Sequence, residues 1–544
     1  MASNLIVSRR TTCPTCGSLN TPTWPARPAV KLPVPYPCSP RVSELLRSNE
    51  IPSEAELSEF QDAANRGRRR MADIDEKIEG ARELIDKLER ERCSLTAEIE
   101  DMKIVSSPVR RLPPDVLRSI CLETIPSSSD IMSPTFRFCD SLDTRSSPWT
   151  ISHVCSRWRS TVVSAPELWS STSLVIGDTR SAESNFWNIF LFGIRIKRSE
   201  SRPLTVSLRS ASDVSQHPLL ALIPVHASAL KNLRIHVPVI SLGAFSRCRG
   251  LLDCLDHLIL ESNEVGVPAG WTNSTFGYAS KLRTFTAPIH NLPRGVEIPW
   301  FQLSHCGLQI DNEQDLSLLE RLDNVESADI RSSGTLLRVP QGHTPIHLPR
   351  LTSLALTSQN PMFTPSPDIR VIFSSLSLPN LVDLHITYSA VPVLPHISIH
   401  PNVITRLELT RLSSASKINE KYTFPGLSNL LNAVTNLRCL ALNSAKALSS
   451  DDISQLRGIS LPSYIPLPHL RVLDLSGCKF EYDHSNIVEM VKTRRNENDP
   501  DCDQLEILYL ASPLKLDGQA ADIWQNLIDE GLNVVYGAHN VASR

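Results

Sequence analysis

Two clusters in this sequence carry the side chains and spacing of metal ligands. Cys13-Pro14-Thr15-Cys16 is a CxxC pair, half of the four-ligand set that a structural zinc ion requires. Only Cys38 stands near enough to add a third ligand, because the first histidine of the chain is His153. The pair reads as free thiols; zinc binding by Cys13, Cys16 and Cys38 stays open, and no metal site is expected. Asp499, Asp501 and Asp503 begin like a calcium loop. Gln504 stands where that loop needs glycine and Leu510 where it needs a bidentate glutamate, so the run reads as a polar connection. Catalysis has no better footing. There is no GxxxxGK[ST] phosphate loop, no GxSxG nucleophile elbow and no HExxH pair. The chain is read as a non-enzyme without a cofactor.

Binding is the chemistry that remains, and composition narrows its kind. Among 544 residues, 55 Lys and Arg face 58 Asp and Glu, a formal net charge of -3. A dedicated nucleic-acid or membrane-surface binder carries a basic excess, so neither partner is expected. No run approaches the roughly 20 apolar residues of a membrane span, and the first ten residues lack the apolar core of a signal peptide. Most of the 13 cysteines sit in apolar patterns, which suits a reducing cytoplasmic or nuclear setting. With 40 Pro and only 20 Gly, the chain has few of the glycine-rich turns that nucleotide-binding folds need.

Four segments position whatever binding surface exists. Residues 1–52 are interrupted by Pro22, Pro25, Pro28, Pro33, Pro35, Pro37 and Pro40, and read as a disordered Pro-rich tail. Residues 53–103 read as one helix opened by a Ser53/Glu56 capping box. Heptad positions a and d fall on Leu57, Phe60, Ala64, Gly67, Met71, Ile74, Ile78, Ala81, Ile85, Leu88, Arg92, Leu95, Ile99 and Met102. Only Gly67 and Arg92 break this apolar seam, so a coiled coil and a weak homodimer through residues 53–103 are expected. A helix packed on its own chain is the alternative.

In residues 108–173, Pro113-Pro114 opens a helix that carries Val116, Leu117 and Ile120 on one face. Ser127 to Pro148 is Ser-rich and reads as a loop. Ile151, Val154, Cys155 and Trp158 then form a second helical stripe, and Ala165-Pro166-Glu167-Leu168-Trp169 closes the unit. These three blocks, in this order, resemble the F-box, and with the charged helix before them the segment is similar to F-box proteins expanded in mushroom-forming fungi. The gap from Ser127 to Pro148 is longer than in most of that family. The resemblance implies docking on a Skp-family adaptor within a cullin complex, through Leu112, Pro113, Val116, Leu117, Ile120, Val154, Cys155 and Trp158.

Residues 181–540 repeat the template L-x-x-L-x-L. Clear copies start at Leu230, Leu255, Leu351, Leu381, Ile404, Leu437, Leu470 and Leu505, and degenerate ones at Leu282 and Leu322. Asn263 and Cys478 occupy the Asn-or-Cys place that follows the strand in leucine-rich repeats. Phe186 to Ile196 reads as a helix and Leu204, Val206 and Leu208 as a strand, together capping the stack. The expected fold is α+β and multi-domain: an N-terminal coiled-coil helix, a small all-α F-box and an irregular α/β leucine-rich-repeat solenoid. Arg234, His257, Asp383, His385, Arg406, Glu408, Asp474 and Tyr509 would face an unknown protein substrate. Their mixed charge suits a protein better than a polyanion. Two functions are consistent with this organisation: the substrate-recognition adaptor of a cullin-type ubiquitin ligase, or a coiled-coil scaffold without a ligase role.

Overall fold

A computed structural model describes residues 39–48, 50–133, 135–177, 182–262, 271–287, 295–333, 345–358, 367–388, 403–411, 424, 427, 431–432, 434–457, 467–480, 484–495 and 503–537. Cys13, Cys16, Cys38, Asn263, Asp499 and Asp501 lie outside these residues. The chain divides into two compact units, Met1–Arg111 and Leu112–Arg544.

The first unit contains α1 (Pro40–Ser48) and α2 (Glu54–Ser106). The helix α1 corrects the expectation of a structureless segment as far as residue 52. Pro40 begins it, where no backbone N–H is needed. The 53 residues of α2 extend about 80 Å at 1.5 Å per residue. Its start is the expected capping box: the Glu56 carboxylate accepts from the Ser53 N–H at 2.8 Å, and the Ser53 hydroxyl accepts from the Glu56 N–H at 3.4 Å. That backbone bond from Ser53, with a second from Arg41 Nε at 2.9 Å, holds the Glu56 carboxyl at about 2. No residue of α2 is buried. Met71, Ile74, Ile78, Ile85, Leu88, Leu95, Ile99 and Met102 of the heptad seam are all exposed.

The second unit is mixed helix and strand. It opens with α3 (Pro114–Leu122), α4 (Ser128–Met132), α5 (Trp149–Ser152) and α6 (Ser156–Val163). A large parallel sheet follows, with α7 (Ala182–Ser199) linking its first two strands. The strands are β1 (Ser171–Ile176), β2 (Leu204–Ser210), β3 (Leu230–His236), β4 (His257–Glu261), β5 (Thr284–Ala287), β6 (His305–Gln309), β7 (Ser327–Ser332), β9 (Ser353–Ser358), β11 (Asp383–Tyr388), β12 (Arg406–Arg411), β13 (Cys439–Leu448), β14 (Val472–Phe480), β15 (Ile507–Leu510) and β16 (Asn533–Tyr536). Each pairs with the next in this order, so the sheet advances in one direction. A separate pair, β8 (Ile346–His347) and β10 (Leu376–Ser377), lies outside it.

The template explains the sheet. In a strand, alternate side chains share a face. The second and third apolar residues of each copy therefore point the same way, and the first turns in just before the strand. Leu351, Leu354 and Leu356 are buried, as are Leu381, Leu384 and Ile386 in the next copy. The two degenerate copies fare differently. Leu282 and Phe285 lie as expected. In the other, strand pairing aligns Ala328 and Ile330 with Leu354 and Leu356, and Val325 is buried three residues ahead of Ala328, so the copy starts at Val325 and not at Leu322. A further copy, Leu303-x-x-Cys306-x-Leu308, forms β6; Cys306 in its central place hid it from the template. Cys478 lies within β14, where its buried thiol donates to the Leu442 carbonyl of the preceding strand at 3.0 Å; burial pushes that thiol up to about 12.

Three expectations about residues 108–181 need correction. The Ser-rich stretch is not a plain loop, because Ser127 and Asp130 form a capping box that starts α4. The stripe from Ile151 to Trp158 is not one helix, because α5 ends at Ser152 and Cys155 is extended before α6. The sheet starts at Ser171, inside the segment read as a separate helical domain, and both lie in one compact unit. Arg195 of α7 joins them. Its guanidinium is buried, donates to the Thr172 hydroxyl and to the Ser171 and Ser141 carbonyls at 2.7–3.3 Å, and lies 5.6 Å from the centre of the Trp169 ring. Burial pulls it down to about 10. Trp149 meets Trp169 edge to face at 4.9 Å.

Candidate functional site

Two surfaces of the second unit present the side chains singled out in the sequence. The first is on the short helices. Along α3, Leu117 and Cys121 point inward and are fully buried. Val116 and Ile120, four residues apart on the other side, are exposed. Exposed Val154 and Cys155 occupy the turn between α5 and α6, and Pro113 is exposed ahead of α3. Leu112 is half-buried, and its carbonyl accepts a hydrogen bond from Arg157. Trp158 is half-buried against a cluster of Cys121, Trp149, Ile151, Val162, Ala165, Leu168 and Trp169. Leu117 is therefore a core residue and not a contact residue. Arg118 of α3 pairs with Glu167, and Arg202 approaches the same carboxylate at 3.9 Å. Burial alone would raise the Glu167 carboxyl; the Arg118 hydrogen bond outweighs it and holds the group below its usual value.

The second surface is the polar face of the sheet. Strand pairing aligns Arg234, Ile259, Thr286, Gly307, Asp329, Ala355, His385, Glu408, Ala441, Asp474 and Tyr509 in one row. Its centre is a connected polar group. His385 Nε2 lies 3.2 Å from the Thr387 hydroxyl and 3.6 Å from Glu408 Oε1. Asn443 Nδ2 donates to Glu408 Oε1 at 2.8 Å. Gly477 makes room for that asparagine, since a Cβ there would fall 2.0 Å from Asn443 Oδ1. Asp383, His385, Arg406, Glu408 and Tyr509 are half-buried and reachable from this face. Asp474 belongs to the same row but is buried, its carboxylate accepting from the Ser476 N–H at 2.8 Å.

At the other end of the row the face is covered. The α4 segment packs on β1, β2 and β3. Arg234 Nη1 donates to the Ile131 and Ser133 carbonyls at 3.1 and 2.6 Å, and Arg234 Nη2 to Glu261 Oε1 at 2.9 Å. His236 Nδ1 lies 2.9 Å from Glu261 Oε2. The Phe138 ring centre lies 4.7 Å from the Arg234 guanidinium and 4.9 Å from that of Arg209. Burial would raise the Glu261 carboxyl, but the His236 hydrogen bond and the Arg234 charge outweigh it and hold the group below its usual value. Arg234 is thus an internal ion-pair residue, in contrast to the substrate contact expected from its repeat position. His257 is half-buried at the start of β4, and burial lowers its imidazole.

No protein-family model and no curated protein matches this chain. Among the described residues, no three His, Cys, Asp or Glu side chains could hold a metal ion, and no helix is long and apolar enough to cross a membrane. The structure also brings in residues that the pattern reading passed over: Ile131 and Phe138 over the first strands, and the Arg118–Glu167 pair. The signal for α4 was present as the Ser127/Asp130 capping box.

Proposed function

We propose that this chain is a non-catalytic recognition subunit of a cullin-type ubiquitin ligase. The short helices act as an F-box on a Skp-family adaptor, and the sheet is the inner layer of a leucine-rich-repeat solenoid that holds a target protein. The observation that carries this reading is the division of α3: Leu117 and Cys121 are buried while Val116 and Ile120 stay exposed, as does Val154 in the turn before α6, the helix on which α3 packs. A patch of aliphatic side chains on a folded scaffold marks a protein contact. The half-buried Asp383, His385, Arg406, Glu408 and Tyr509 supply polar groups of both signs for the target. Catalysis then belongs to the conjugating enzyme, and this chain contributes proximity.

The test is co-purification of the full chain with a Skp-family adaptor. Val116→Asp with Val154→Asp should abolish capture and leave the circular dichroism spectrum unchanged, because both positions are exposed. Capture equal to wild type would refute the reading. Leu117 is unsuitable for this test, since truncating a buried leucine costs about 2–5 kcal/mol of stability on its own.

The exposed heptad seam of α2 favours a second role, that of a coiled-coil scaffold. Arg92→Leu removes the charge from the seam and should raise self-association in sedimentation equilibrium. A chain that stays monomeric in both forms would exclude a coiled-coil dimer.

A further inference from the structure

A groove of about 670 Å³ lies beyond both surfaces, at the edge where β2 to β5 begin. Arg202, Lys231, Lys281 and Arg283 line it, with Asp256 as the acidic member. The strand ladder sets their places. The Asp256 N–H donates to the Lys231 carbonyl at 2.8 Å, and the Arg283 N–H donates to the Asp256 carbonyl at 2.9 Å. These three residues therefore stand at one level on adjacent strands. At roughly 4.8 Å per strand, the Lys231 and Arg283 backbones are about 10 Å apart.

The cations of this groove are not spent on the protein. Lys231, Lys281 and Arg283 are exposed and form no ion pair among the described residues. Only Arg202 approaches a carboxylate, that of Glu167 at 3.9 Å. Three unpaired cations converging on one concavity create a local positive potential on a chain whose net charge is -3. Pro203 and Ala229 add neutral, partly apolar wall.

We infer that this groove binds a peptide segment through one anionic side chain, a phosphate or a carboxylate, held by Lys231 and Arg283 on the two sides of Asp256. A nucleic acid is disfavoured by Asp256, which stands between the two cations and would face a continuous polyanion. A peptide can place one oxyanion on the cations and a backbone N–H or hydroxyl on Asp256. Lys231 and Arg283 belong to neither the adaptor nor the target surface, and the test does not depend on the ligase reading.

The experiment is fluorescence anisotropy on the full chain with a labelled phosphoserine peptide, its glutamate and serine versions, and a single-stranded oligonucleotide of similar length. The phosphoserine or the glutamate peptide should bind more tightly than the serine peptide, and added salt should weaken it. If phosphoserine exceeds glutamate, the oxyanion is a phosphate; if the two are equal, a carboxylate suffices. Lys231→Glu with Arg283→Glu should weaken binding by about tenfold or more. The milder pair Lys231→Gln and Arg283→Gln should fall between the two. Equal binding of all peptides, unchanged binding by the charge-reversed chain, or tighter binding of the oligonucleotide would overturn the inference.

Discussion

Arg234 and Glu408 occupy the same row of the same sheet, yet one is an internal part and the other a surface group. At β3 the row is roofed by α4 and Phe138, so the Arg234 side chain is only 3% exposed and lies against Glu261. At β12 the Glu408 side chain keeps 20% of its exposure and pairs with His385 and Asn443. Both are charged and both project from the polar side of a strand. What separates them is the segment lying over the strand, which belongs to a different part of the sequence. In the roofed region charge is structural, because a buried ion that loses its partner is left uncompensated. In the open region charge is available, because water screens it and little stability depends on it.

The largest expected effect is at Glu261. Replacing it with alanine leaves Arg234 and His236 buried without their carboxylate and should cost about 3–5 kcal/mol in urea unfolding. A loss below about 1 kcal/mol would make the two regions energetically alike. The same residue predicts a pH dependence. Its carboxyl is held below its ordinary value in the fold, so its contribution is present above the ordinary carboxylate range and disappears as pH falls through the folded value. Wild type should therefore lose its advantage over Glu261→Gln below about pH 4. An advantage that persists undiminished at lower pH would contradict the buried pair.

Phe138→Ala comes next. It removes the ring that packs on Arg209, Arg234 and His236, at a cost of about 2 kcal/mol. Amide exchange in residues 128–140 should rise more than elsewhere if this ring fastens the roof. Unchanged exchange there would leave α4 held by its hydrogen bonds alone.

The smallest effect on stability is expected at Glu408. Glu408→Ala should cost less than about 1 kcal/mol, because its ion pair is half-exposed. On the proposed function, its effect should appear instead as weaker capture of a target protein. A stability loss equal to that of Glu261→Ala would erase the distinction between the two regions.

The repeat array was legible where three apolar residues in each copy are all required by one strand. Leu351, Leu354 and Leu356 could be placed from spacing alone, since any other register would expose them. The copy at Leu303 was missed because a cysteine, buried as readily as a leucine, stands in the template's central place. The α3 helix was legible from Pro113-Pro114 and the spacing of Val116, Leu117 and Ile120, but which of these faces water was not. Leu117 and Ile120 are both aliphatic residues of one short helix, and only the packing of α3 on its neighbours, α6 among them, decides that the first is buried.

By itself, the sequence determined the local periods: the capped helix from Glu54, the strand at each L-x-x-L-x-L, and the alternation that gives the sheet one apolar and one polar face. These follow from contacts within a few residues, where backbone geometry leaves one arrangement. The tertiary structure alone decided which polar positions stay available. Burial of Arg234 depends on Ile131, Ser133 and Phe138, about a hundred residues away, and on Glu261 on the next strand. Exposure is a property of what lies over a side chain, and no local pattern in the chain records that.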